Sequence, residues 1–406
     1  MNIYSGSELD SETVTPPRAL HVAALPFPTY QGTQAAISAM LAATSRVDPG
    51  TALFTYATSG YASSSEFAVH RLSDRPRVRS LRSGPSLGKL VLDARMLFEL
   101  QDLTRKLQPR VIVAHHVEAA AVALSLRSPR TVFFAHTDLA EELPSYAHPL
   151  LSAPLRRAGG ALDRLLVRRA AAVATISPVL RERLSELRAD VEYVPIPWNV
   201  PEPIRSRERA ESRLGLGVSQ RTKLALYAGN LDAYQGATML PRALASLRAR
   251  GHALQLLLAT QSDSSAFARS CQLLGVPLQH VELGDELIRR QVHAAADLVV
   301  VPRLVPGGLP IKLLDALARG VPCAVTPSAC AGLSLEGAVE CAQGDNAAAL
   351  ALAMERLLET PERRISLVNA GRAYVAREHS EPRFLRALDR VLSRATAADS
   401  CESGAS

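Results

Sequence analysis

The chain of 406 residues is 47% hydrophobic and 21% charged, a balance that excludes a disordered or fibrous protein and supplies a sizeable core. That length exceeds what one core commonly holds, so two domains of similar size are expected. The net charge of +7 comes almost wholly from arginine, because lysine occurs only at Lys89, Lys106, Lys223 and Lys312; a lysine at a mechanistic position therefore stands out.

The cysteines Cys271, Cys323, Cys330, Cys341 and Cys401 are odd in number and lack CxxC spacing, which argues against a disulfide framework or a zinc site. Residues 1–17 are polar and acidic, read as a disordered tail, and carry no apolar signal-peptide stretch. No apolar run approaches the length of a membrane span. A cytoplasmic location is expected, with peripheral contact at the inner face of a membrane left open.

From residue 19 onward short β-type runs alternate with longer helical patterns, the sign of parallel sheets covered by helices. In the first half the strands are expected at 20–25, 51–57, 111–114, 131–135, 172–177 and 191–194. Each ends near Gly, Pro, Ser, Thr or His, and in such sheets ligands gather at those ends. The first end opens into PFPTYQGT over 26–33, containing Gly32 and Thr33. The stretch 71–89 sets Arg75, Arg77, Arg79 and Arg82 against one acid, Asp74; it reads either as a solvated loop or as a docking patch for an anionic membrane. Nucleic acid is not indicated, since no aromatic residues interleave the basic ones.

Two later segments, VIVAHHVEAAAVAL and VFFAHTDLAEELPSY, place His115 and His136 at strand mouths. His115, His116 and Glu118 invite a metal reading, but adjacent histidines on extended backbone point to opposite faces, so a structural or acceptor-cleft role is favoured. Asp138, Glu141 and Glu142 read as helix-start carboxylates, with a general base among them as the alternative. Ser177 and Pro178 read as a helix cap followed by proline at the first turn. The proline-rich, charged stretch 195–221 reads as the interdomain connection.

The second series has strands expected at 224–228, 254–260, 298–302 and 323–326, followed by helical pattern and a small, polar tail at 395–406. In LVVVPRLVPGGLPIKLLDALARGVPCAVT, residues 298–326, Gly307 and Gly308 permit close backbone approach and the helix expected at 310–318 presents its amides to an anion. A diphosphate suits that end. Arg303 and Lys312 are the available cations, Lys312 being otherwise an ordinary solvated helix residue. The segment LALYAGNLDAYQGA, with Gly229, Asn230 and Gln235, is a second strand emptying into a glycine turn.

These motifs resemble the donor-site region of glycosyltransferase family 4, the glycosyl transferases group 1, over about residues 19–390. The resemblance implies a GT-B fold: α/β, two Rossmann-like domains with a cleft between them. The N-terminal acceptor domain would span 18–200, the NDP-sugar domain 201–379, and a helix at about 380–394 would return to the first domain. It implies a retaining transferase that moves a sugar from an NDP-sugar to a hydroxyl acceptor such as a lipid-linked sugar, a glycan or a small molecule, with no cofactor and no metal. Asp315 takes the place of the second glutamate of the family's E-x7-E motif, with ribose contact implied, whereas Gly307 takes that of the first. Asn230 and Gln235 stand where relatives carry arginine and lysine, so Lys312 and Arg303 inherit charge compensation. His136 matches the histidine facing the reacting sugar; Gly32 and Thr33 match the acceptor-side loop. A sugar-nucleotide epimerase of the same fold and a catalytically silent sugar-nucleotide-binding protein are the alternatives.

Overall fold

The computed structural model describes residues 18–29, 31–57, 66–73, 87–126, 130–146 and 148–397. Both expected tails, apart from the stretch up to residue 397, and the arginines at 75, 77, 79 and 82 lie outside the described residues.

Two all-parallel sheets form. The first contains β1 (Ala19–Pro26), β2 (Ala52–Tyr56), β3 (Ala68–Arg71), β4 (Val111–His115), β5 (Arg130–Ala135), β6 (Ala172–Thr175) and β7 (Glu192–Tyr193) in the order β3-β2-β1-β4-β5-β6-β7. The second contains β8 (Lys223–Ala228), β9 (Leu254–Ala259), β10 (Leu278–Val281), β11 (Leu298–Val301), β12 (Cys323–Val325) and β13 (Glu340–Cys341) in the order β10-β9-β8-β11-β12-β13. The central strands are continuous apolar runs because helices cover both faces: VIVAH in β4 and LVVV in β11 are buried throughout. Three strands escape the sequence pattern, AVHR of β3, LQHV of β10 and EC of β13. All three are sheet edges, where one side is unpaired and the apolar demand is weakest.

One hydrophobic cluster covers the outer face of each sheet, and a third is shared between them, joining Ile37, Val113 and Phe134 to Leu313, Val299 and Leu388. Helices fill the space between the sheets. The Glu381–Ala397 helix buries Phe384, Ala387, Leu388, Val391 and Leu392, a stripe at helical spacing, and lays it on β5 and β6 of the first sheet. The chain therefore crosses between domains twice. The two crossings are tied together: Trp198 N donates to His379 O at 2.8 Å, and His379 Nδ1 bonds Ile196 O at 2.8 Å.

The stretch expected as a connection is more structured than its composition suggests. It contains the Ser206–Gly215 helix, which packs on the Glu286–Ala295 helix of the second domain. Arg213, 1% exposed, is the reason that so polar a helix docks. Its guanidinium donates to Ala295 O at 2.7 Å, to Ser219 O at 2.8 Å and to Asp297 Oδ2 at 3.3 Å, which leaves the buried charge paired and hydrogen-bonded.

Candidate functional site

In an open parallel sheet the connections on either side of the strand where the order reverses diverge to opposite faces, leaving a crevice at the carboxyl ends. Here the reversals fall between β1 and β4 and between β8 and β11. The segments leaving those four strands are Phe27–Thr29, His115–His116, Gly229–Gln235 and Arg303–Gly308. Topology thus gathers most of the candidate residues.

On the second-domain wall, Gly229 has φ +146°, and a Cβ there would sit 2.9 Å from Lys312 Nζ. That space belongs to the lysine. Pro310 forms the N-cap, so the helix runs Ile311–Arg319 and starts one residue later than expected, because proline at 310 has extended ψ. From its first turn Lys312 Nζ donates to Tyr227 Oη at 2.8 Å and to Gln235 Oε1 at 2.9 Å, 4.2 Å above the Tyr227 ring. Burial, with the Arg303 charge adding to it, lowers the ammonium's pKa to about 7. Lys312 is not a solvated helix residue.

Arg303 is 6% exposed; its Nε donates to Val305 O at 2.6 Å and its guanidinium lies 5.5 Å from the Tyr234 ring centre. Gly307 has φ +139°, a conformation that suits glycine. Gly308 meets the opposite domain: a Cβ there would lie 2.5 Å from His136 O. Between these walls remains a cavity of about 20 Å³ lined by Asp138, Glu142, Tyr234, Arg303, Gly307 and Gly308. That is room for about one water.

Several candidates have other partners than expected. Asp315 is 3% exposed, and both its oxygens are engaged, Oδ1 by Arg319 at 2.9 Å and Oδ2 by Arg289 at 3.0 Å. Burial opposes its ionisation, but Arg289, His293 and Arg319 outweigh it and hold the carboxyl below its ordinary range. The carboxylate is thus a buried anchor for two arginines. Asn230 turns its amide onto Asp232 at 2.7 Å, and Gln235 spends its amide oxygen on Lys312.

On the first-domain wall, Gly32 opens the Gly32–Ser45 helix 3.4 Å, by the reach of a Cβ, from Ile311 Cβ, and Thr33 is half-buried. His115 departs from an acceptor-side role. It is fully buried, with Nε2 bonded to His21 Nδ1 at 2.9 Å and Nδ1 to His136 Nε2 at 3.0 Å. Both nitrogens are used, which also removes His115 as a metal ligand. His116, at φ +67°, starts the next helix and stacks on His136 at 4.4 Å. Burial opposes ionisation of Glu118, yet Lys89, 3.3 Å away, and His116 keep its carboxyl below the ordinary range. His21 carried no signal in the sequence, being a single histidine within an apolar strand.

Among the described residues one group has metal-binding proximity, His252 with Glu355 and Glu359, and there Arg250 already pairs with Glu355 at 2.8 Å. No helix among the described residues is long and apolar enough to cross a membrane.

The sequence pattern of the glycosyl transferase 4-like domain matches residues 31–198, and that of glycosyl transferases group 1 matches residues 222–360. An uncharacterized glycosyltransferase of Methanocaldococcus jannaschii is 28% identical over 204 residues, 45% of this chain and 51% of that protein; the chain thus spans about half the length of the curated relative it matches. Among solved structures, sucrose-phosphate synthase from Thermosynechococcus elongatus superposes with a TM-score of 0.74 at 18% identity, covering 94% of this chain and 100% of that one. Anabaena HepE in complex with UDP-glucose gives 0.71 at 14% identity, covering 92% and 99%. Starch synthase IV from Arabidopsis thaliana, bound to ADP and acarbose, gives 0.71 at 13% identity, covering 94% and 100%. With both halves matched and the two parallel-sheet domains of the GT-B fold in place, this chain belongs to the group 1 glycosyltransferases, family 4.

Proposed function

We propose that the protein transfers a glycosyl group from an NDP-sugar to a hydroxyl acceptor with retention of configuration, without a catalytic metal. The observation that carries this reading is the pairing across the cleft of a cationic wall, buried Arg303 and half-buried Lys312, with a neutral imidazole wall ending in His136. A departing nucleoside diphosphate develops charge where Lys312, Arg303 and the amides near Gly307 and Gly308 lie, and charge compensation already in place lowers that barrier. Lys312 and Arg303 stand where a divalent cation would otherwise neutralise it. Asn230 and Gln235 reach phosphate by hydrogen bonds once the donor takes Lys312 away from Gln235. The similarity to HepE, solved with UDP-glucose, favours a uridine diphosphate sugar as the first donor to try.

A thermal-shift panel of UDP-, GDP-, ADP- and dTDP-sugars tests donor binding, because a ligand that binds only the folded state raises its melting temperature. The hit is then followed by acceptor-dependent nucleotide release. Release without an acceptor and with an isomerised sugar nucleotide indicates the epimerase; binding without turnover indicates a silent binding protein. Excess EDTA leaves turnover intact on this reading, and proton NMR of fresh product shows the donor's anomeric configuration.

A further inference from the structure

The three imidazoles of His21, His115 and His136 are buried to 1%, 0% and 2% exposure and come from three adjacent strands or their ends. In both pairs the ring centres are 5.2 Å apart, close to the nitrogen–nitrogen distance plus two ring radii, so the bonds point along the line of the rings. Burial lowers the pKa of His21 to about 4 and pushes His115 and His136 well below their ordinary value, in His115 with the neighbouring imidazoles adding to it. The rings are therefore neutral at physiological pH, each with one N–H and one lone pair. The two end nitrogens, His21 Nε2 and His136 Nδ1, have no hydrogen-bond partner among the described residues. Around the string stand Phe134, the stacked His116 and, beyond that ring, Glu118, Glu142 and Lys89.

A neutral string of three such rings has two arrangements. Either every N–H points toward His21, leaving a lone pair on His136 Nδ1, or every N–H points toward His136, leaving a proton there. We propose that His21, His115 and His136 work as one directional unit, in which the buried His21 sets whether His136 offers a proton or a lone pair at the mouth of β5. Changing direction moves one proton across each nitrogen–nitrogen bond, adds one at one end nitrogen and removes one at the other, both exchanged with water when the fold opens locally; net charge is unchanged. A donor oxygen in need of a hydrogen bond selects the protonated form of Nδ1, whereas a hydroxyl acting as donor selects the lone pair. His21 is then a positioning residue, acting through His115. This deepens the glycosyl-transfer reading and rests on it for its use, although the string itself is testable without turnover.

The test uses the full chain labelled with ¹⁵N at histidine. In the wild-type protein, trans-hydrogen-bond nitrogen–nitrogen couplings are expected for both pairs, and all three rings are neutral at pH 7. His21→Leu removes the partner of His115 Nε2. Without the β1 ring the direction of the remaining His115–His136 pair is no longer set from His21, so the Nδ1/Nε2 proton population of His136 should differ from wild type. A His136 tautomer unchanged by His21→Leu, with the melting temperature preserved, overturns the coupling. Should that variant fail to fold, absence of either coupling in wild type does the same. With the donor that the thermal-shift panel identifies, His21→Leu lowers kcat about tenfold at unchanged KM, the size of one lost hydrogen bond, and His21→Asn, which both donates and accepts, restores it. A flipped tautomer with unchanged kcat overturns the functional half; a silent wild-type enzyme with intact couplings overturns the transferase reading instead.

Discussion

The two walls of the cleft solve opposite electrostatic problems. The second-domain wall holds two cations at most partly in water, Arg303 near the Tyr234 ring and Lys312 over Tyr227, each stabilised by a ring face and neutral oxygens and, among the described residues, by no directly bonded carboxylate. The first-domain wall holds three imidazoles without charge. Had Lys312 been paired to an acid, an incoming diphosphate would have had to displace it; resting on Tyr227 and Gln235, it is free to turn to a stronger anion. The comparison teaches that one wall carries charge held by neutral partners, whereas the other carries only hydrogen bonds between uncharged rings.

The largest effect should come from removing the cation. Lys312→Ala is expected to lower turnover at saturating donor by about 10²–10³-fold, as for loss of one preorganised donor to a developing anion, while the protein stays folded. The matching control is Lys106→Ala, exposed at the end of the Leu87–Leu107 helix, because Lys89 pairs with Glu118 beside the site. Equal turnover of both variants breaks the assignment of the cationic wall.

Gly308→Ala probes the approach of the two walls. Its methyl group would lie 2.5 Å from His136 O, a contact that neither backbone can relieve without parting the domains. A cost of about 1–3 kcal/mol for closure is expected, read as a larger radius of gyration in X-ray scattering together with weaker turnover. Gly307→Ala has open space but φ +139°, so it should strain its own loop by about 1–3 kcal/mol and leave the scattering curve unchanged.

Ionisation of Lys312 sharpens the comparison further. The donor kcat/KM, which reports the free enzyme, should fall as pH rises through about 7, and the kcat profile should fall at higher pH because bound diphosphate favours the ammonium. Stability has the opposite sign: between about 7 and the ordinary lysine value of 10.5 the unfolded chain holds more protons than the folded one, so folding strengthens with rising pH. Lys312→Met should accordingly raise the melting temperature most at pH 6 and progressively less toward pH 10. A pH-independent difference would show that the ammonium is not buried as described.

The smallest expected effect concerns the basic stretch. Weak sedimentation with anionic vesicles, declining with salt, is expected from Arg75, Arg77, Arg79 and Arg82; equal sedimentation with neutral vesicles would leave only a solvated loop.

The sequence by itself determined the two parallel-sheet halves and the four segments that form the cleft, because apolar strand runs and glycine or proline turns are local signals. Rarity singled out Lys312 among the arginines, and the Gly307–Gly308 pair marked the strand-to-helix turn. The partners were decided only by the tertiary structure. The fold sets Arg289 and Arg319 against Asp315, partners that no local pattern announced. His21 meets His115 across 94 positions of sequence because β1 lies beside β4, and His115 meets His136 because β4 lies beside β5. Strand order is a long-range choice made by packing both faces of a sheet. No window of residues around His21 encodes which side chain will stand beside it.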